Sequence, residues 1–155
     1  MENIPRFAFG TWRSPNDQTV IDAVCYAIEK VGYRHIDCAW KYGNEPSIGK
    51  ALHDILNRGV IKREELWITS KLWNTEHHSA DVENQLKQTL KDLQLDYLDL
   101  YIIHWPVAFQ HGGEPFPKDE KGNIIFDKTV NLHETWKSLE KLVEKKLVRH
   151  IGLSN

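Results

Sequence analysis

LDYLDLYIIHWP, residues 95–106, is the stretch on which the fold turns. Leu98 to His104 reads as a strand, and Pro106 stops it because proline cannot donate to a sheet ladder. Just upstream, Ser79 is positioned to cap a helix that carries Val82, Leu86, Leu90 and Leu93 on one face. Working outward, the same helix-then-strand unit recurs. Phe7–Gly10 makes a first strand. Ser14 and Pro15 then open a helix whose stripe is Val20, Ile21, Val24, Ile28 and Val31, with Gly32 ending it. His35–Ala39 is a second strand, Ser47–Leu56 a helix and Leu66–Ser70 a third strand. Beyond Pro106 a long polar segment, residues 107–130, holds Gly112, Gly113, Pro115, Pro117 and Gly122. Segments of this length without structure of their own are usually functional or disordered. Asn131 and Glu134 then form a cap signature for a helix to about Lys146, with Leu132, Trp136, Leu139, Leu142 and Val143 inward. Val148–Leu153 is a fifth strand.

Five strands alternating with four helices predict an α/β fold with a parallel sheet. Alternation alone does not separate a doubly wound sheet from part of a barrel. A complete eight-unit barrel needs about 250 residues, and this chain has 155. The expectation is a single domain over 1–155, its barrel completed by self-association or by a missing C-terminal half, with residues 107–130 lying over the active-site face.

Composition narrows the partners. The formal net charge is −2 and the pI about 6.4, with no basic stripe for nucleic acid. No run approaches the roughly 18 apolar residues of a membrane span, and the N-terminus lacks a secretory signal. The two cysteines, Cys25 and Cys38, have neither CxxC nor metal-like spacing and are expected to be buried free thiols. A cytoplasmic location is expected, with no metal site. Six tryptophans are many for this length and suit a pocket as well as a core.

Four polar residues gather at the C-terminal ends of successive strands, where catalytic groups of barrels collect. Asp37 is on the second strand and Tyr42 just beyond it. Lys71 follows the third, and His104 closes the fourth. A phenol is a poor acid at neutral pH. A Lys ammonium beside it stabilises the phenolate left when the proton departs. A buried Lys needs a charge partner, which Asp37 supplies, and His104 can hydrogen-bond a carbonyl oxygen. Acid, charge partner and orienting group are what reduction of a polarised C=O by a bound hydride donor requires. Spacing and type alone leave ordinary alternatives open: a structural ion pair, a loop aromatic and a core histidine.

The stretches Gly10-Thr11-Trp12, GYRHIDCAWKYGNE (32–45), ITSKLW (68–73), LDYLDLYIIHWP (95–106) and IGLSN (151–155) stand in order along the chain. Together they resemble the aldo-keto reductases, and especially the aldose/aldehyde reductase branch, from about Ile4 to Asn155. The resemblance implies the N-terminal part of a TIM (β/α)8-barrel and reduction of aldehydes or ketones with NADPH. By motif, Tyr42 is the implied proton donor, Lys71 stabilises its phenolate, Asp37 holds Lys71, and His104 orients carbonyl and nicotinamide. Gly10, Thr11, Trp12, Asp37, His104, Ser154 and Asn155 are the implied cofactor residues. Trp12, Trp73, His104, Trp105, Phe109 and Phe116 are implied to line the aldehyde pocket. Relatives that reduce steroid carbon–carbon double bonds carry Glu at the position of His104, so histidine points to carbonyl reduction. No GxGxxG follows a strand, in keeping with a non-Rossmann grip on the dinucleotide.

Three departures from the family pattern stand out. Only Asn3-Ile4-Pro5-Arg6 precedes the first strand. Lys41 stands where relatives often have an apolar residue, which would tilt preference toward acidic or polar aldehydes. The chain ends after the fifth strand, before the family's nicotinamide-stacking aromatic and its 2′-phosphate-binding basic residues. A catalytically inactive truncated fragment or isoform, or a non-catalytic scaffold of the same fold, is therefore the alternative.

Overall fold

A computed structural model describes residues 4–155; Asn3, named above, lies outside the described residues. Five strands form one sheet in the order β1 (Phe9–Gly10), β2 (His35–Asp37), β3 (Trp67–Leu72), β4 (Leu98–Ile103) and β5 (Val148–Leu153). Every neighbouring pair is parallel. A doubly wound sheet reverses its strand order at a switch point. This one never reverses, so the topology is that of a barrel wall.

The helices between strands are α1 (Gln18–Tyr26), α2 (Glu45–Asn57), α3 (Val82–Leu93) and α4 (Leu132–Glu144). Each packs against the next and presents an apolar stripe to the sheet. Val20, Val24, Ile48, Leu52, Ile55, Leu86, Leu93, Leu139 and Leu142 are buried with Ile36, Ile68, Leu72, Leu98 and Ile103. β3 is buried along its whole length, as a strand inside a parallel sheet should be. β5 lies at the sheet's edge; past Val148 none of its residues is fully buried.

The structure moves several boundaries expected from sequence. Asp17, not Ser14, caps α1, because its carboxylate accepts the Thr19 N–H at 2.7 Å. α1 continues through a π-turn at Ala27–Val31, and Gly32 ends it in the left-handed region (φ 86°), as expected. That wider turn rotates Val31 out of the stripe and leaves it 57% exposed. Val143 is likewise exposed, near the end of α4. Asp81 rather than Ser79 is the cap residue of α3, without a side-chain cap bond. The Ser79 carbonyl instead accepts the Ser138 hydroxyl from α4. β1 is only two residues long, and β2 stops at Asp37, although the Cys38 N–H still bonds the Thr69 carbonyl. β3 runs on to Leu72, so Lys71 is a strand residue. The segment 107–130 is not featureless: backbone bridges join Phe109 to Phe126 and Lys118 to Ile124. Cys38 is a buried free thiol as expected, whereas Cys25 is only half-buried.

Candidate active site

The parallel register sets the site. Asp37 pairs with Thr69, so Lys71, two residues further along β3, projects past the end of β2 on the same face. The chain then turns sharply at Trp40–Tyr42, a single turn of 3-10 helix closed by Gly43 in the left-handed region (φ 71°). That turn folds Tyr42 back over the strand end. Lys71 Nζ donates to Asp37 Oδ1 at 2.7 Å, to the Cys38 carbonyl at 2.7 Å and to Tyr42 Oη at 3.2 Å. All three ammonium donors are thereby used. The Lys71 side chain is 7% exposed and that of Asp37 33%, so the pair is largely shielded from water.

His104 follows β4, its N–H bonded to the Leu72 carbonyl. Its ring stands edge-on to Tyr42 (5.8 Å) and to Trp73 (5.2 Å). Burial, reinforced by the Lys71 charge and opposed by Asp37, pushes its imidazolium down to about 4. His104 is therefore neutral at physiological pH and has one ring N–H to offer a carbonyl oxygen. Its Nδ1 is buried without a hydrogen-bond partner.

These groups open into a cleft of about 610 Å³. The expected aromatics Trp12, Trp73, Trp105, Phe109 and Phe116 all line it, with His104 and Tyr42. Trp12 leans on Tyr42 at 4.8 Å. The Trp73 indole N–H donates to the Pro115 carbonyl at 2.8 Å, which draws the 107–130 segment against the cleft. The walls also include Lys41, Asn74, Val107 and Phe126. Phe126 was not foreseen. It ends the short apolar run Ile124-Ile125-Phe126 inside the loop segment, and its pairing with Phe109, ring to ring at 5.6 Å, brings it to the site.

The remaining expected cofactor residues lie beside this cleft. Thr11 is buried, and both its N–H (3.1 Å) and its hydroxyl (2.9 Å) bond the Asp37 carbonyl. Gly10 pairs with Asp37 across β1 and β2. The Ser154 N–H bonds the Ile103 carbonyl at 3.0 Å, and the Asn155 amide donates to the His104 carbonyl at 2.8 Å. Of this set, Trp12, His104 and Asn155 line the cleft, while Gly10, Thr11, Asp37 and Ser154 do not. Gly10 has nothing within 4 Å of where a Cβ would stand, so its face is open to a ligand. With the unpartnered His104 Nδ1 and the Asn155 side chain, the groups present fit the nicotinamide end of a dinucleotide.

Consecutive parallel strands with polar groups collected at their C-terminal ends define a barrel segment of the TIM type. The sequence model of the aldo/keto reductase family matches residues 6–155. The chain belongs to that family. It is 57% identical over 155 residues to aldo-keto reductase family 1 member A1 of Pongo abelii and 56% identical to that of Homo sapiens, in each case covering 99% of this chain and 47% of the relative. Its fold superposes on the aldose reductase of Schistosoma japonicum with a TM-score of 0.93 at 50% identity, covering 98% of this chain and 50% of that one. The chain thus spans about half the length of the relatives it matches. No helix among the described residues is long and apolar enough to cross a membrane.

Proposed function

We propose that this chain carries the carbonyl-reducing centre of an NADPH-dependent aldo-keto reductase acting on aldehydes or ketones. The observation that carries the reading is the Lys71 ammonium, held between Asp37 and Tyr42 at hydrogen-bond distance from both. When bound, the dinucleotide supplies the hydride. Tyr42 delivers the proton to the substrate oxygen, and the adjoining ammonium stabilises the phenolate that remains. Neutral His104 donates to the same oxygen and fixes its position before reaction. Asp37 holds the Lys71 side chain in place. The aromatic walls exclude water and take the substrate's apolar body. Gly10, Thr11, Trp12, Ser154 and Asn155 are the groups that would hold the nicotinamide end, directly or by fixing their neighbours.

Lys41 refines the substrate class. Its ammonium lies 4.7 Å from the Phe116 ring centre and 5.8 Å from that of Trp73, at the cleft wall. A cation there favours polar or acidic aldehydes. Two free cysteines accord with a reducing, cytoplasmic setting.

The test is steady-state NADPH consumption with an aldehyde such as glyceraldehyde, run beside tryptophan-fluorescence quenching by NADPH. Quenching in both proteins, with turnover lost only in Tyr42→Phe, is the expected result. Equal turnover by the variant refutes Tyr42 as proton donor. Quenching without turnover in the unaltered chain favours the non-catalytic alternative.

A further inference from the structure

A second polar cluster, apart from the cleft, fastens the 107–130 segment to the turn before α3. His111 lies on that segment. Its Nδ1 is 3.0 Å from the Thr75 carbonyl oxygen, 3.4 Å from Asp81 Oδ2 and 3.6 Å from Glu76 Oε2. Thr75 and Glu76 belong to a 3-10 turn, Asn74–Glu76, and Asp81 immediately precedes α3. We propose that the Thr75 carbonyl, Glu76, Asp81 and His111 form a tetrahedral site for one divalent transition-metal ion of zinc's class, tying the cleft-lining segment to the barrel wall.

The donor set is one imidazole nitrogen, two carboxylates and a backbone carbonyl. Magnesium and calcium favour six or more oxygen ligands, whereas imidazole suits zinc, copper and nickel. The distances from His111 agree with zinc. Zinc bonds to nitrogen and oxygen are about 2.0–2.2 Å, so tetrahedral ligands stand roughly 3.3–3.5 Å apart. The three separations measured from His111 bracket that spacing. The three side-chain ligand atoms all lie within 4.8 Å of one another.

A hydrogen-bonding account satisfies this arrangement less well. One N–H serves one oxygen, yet Nδ1 faces three. An ion placed among them satisfies all three at once. Nδ1 enters the site deprotonated, and the Thr75 carbonyl passes from hydrogen-bond acceptor to ligand. The ring is already oriented. His78 stands edge-on to it at 6.0 Å and is itself bonded to Asp127 of the same segment at 2.8 Å. The side chains of Glu76, Asp81 and His111 are 22%, 25% and 43% exposed, which leaves a path for the ion. Sequence spacing conceals the set, since His111 is thirty residues beyond Asp81.

Untagged protein titrated with Zn2+ by calorimetry and with Co2+ by visible absorption tests the proposal. The expected result is one ion per chain, cobalt bands of the tetrahedral type, and an affinity loss of at least about tenfold in both His111→Ala and Asp81→Asn. No binding at submillimolar metal, an octahedral cobalt spectrum, or unchanged affinity in both variants overturns it. His111 is exposed, so its variant should keep the parent circular dichroism. Should it not, the cobalt spectrum of the unaltered chain and the Asp81→Asn titration still decide.

Discussion

Lys71 Nζ lies 3.2 Å from Tyr42 Oη and 4.8 Å from the centre of the same ring, so the ammonium faces both the phenol oxygen and its π system. Asp37 and the Cys38 carbonyl take its other two donors, which leaves Lys71 no freedom to turn away. Tyr42→Phe removes the proton and keeps the ring that leans on Trp12. The expected loss in kcat is about 100- to 10,000-fold, with little change in NADPH affinity. Single-turnover absorbance for the chemical step, beside fluorescence titration for binding, separates the two. A Tyr42→Phe protein that binds NADPH poorly would assign Tyr42 to binding instead.

Lys41 makes no ion pair among the described residues, and its charge rests against aromatic faces in the cleft wall. A bound carboxylate would be its first partner. Ion pairs at such partly open sites are worth up to about 1 kcal/mol, or roughly fivefold in affinity. Lys41→Val is therefore expected to raise KM about fivefold for a carboxylate-bearing aldehyde and hardly at all for a neutral one of similar size. Raising the salt concentration should erode the same discrimination in the unaltered chain. Equal effects on both substrates would show that Lys41 only shapes the wall.

How far the sequence carried depended on the range of the interaction. The strand–helix order and the burial of β3 and β4 follow from local apolar patterning, and the structure keeps them. Asp37, Lys71 and His104 end up together because each ends, or nearly ends, a strand, and parallel strand ends are neighbours whatever the intervening length. The cap at Asp17 was misplaced because Ser14-Pro15 satisfies the same local rule, and only the folded chain chooses between two acceptors. Phe126 and the His111 cluster were hidden for another reason. Both depend on how a polar, glycine-containing segment folds back on itself, and no periodicity records that. Barrel versus doubly wound sheet was likewise a matter of strand order, which alternation does not encode.

Gly49 lets α2 pack directly on the backbone of α3. A Cβ built there would lie 2.1 Å from the Asp92 carbonyl oxygen and 2.8 Å from the Leu93 carbonyl carbon. Those are backbone atoms, so relief requires the helices to part rather than a side chain to turn. Gly49→Ala is accordingly expected to destabilise by about 1–3 kcal/mol or more, despite alanine's better helix propensity. Chemical denaturation measures this directly. A neutral or stabilising result would mean that α2 shifts freely on α3.

Glu45 begins α2 with its carboxyl buried, 2% exposed. One oxygen accepts the Ser70 hydroxyl at 2.6 Å, and the other has no partner. Burial above all, with Asp92 adding to it and Ser70 and Lys71 opposing, pushes the carboxyl up to about 7 from an ordinary 4.5. The folded chain therefore holds a proton that the unfolded chain releases between those two values. Its contribution to stability is complete below about pH 4.5, declines through the window and is lost above about pH 7, at up to about 1.4 kcal/mol per pH unit. His77 and His104, both pushed down to about 4 by burial above all, act in the opposite sense, adding stability as pH rises from about 4 to 6.5. These opposed trends overlap in the unaltered chain, so its own melting profile does not isolate Glu45. Glu45→Gln keeps the shape, removes the titration and leaves His104 in place. The difference in melting temperature, variant minus parent, is expected to grow in the variant's favour from pH 5 to pH 8. A flat difference across that range would mean that Glu45 is ionised in the folded chain throughout.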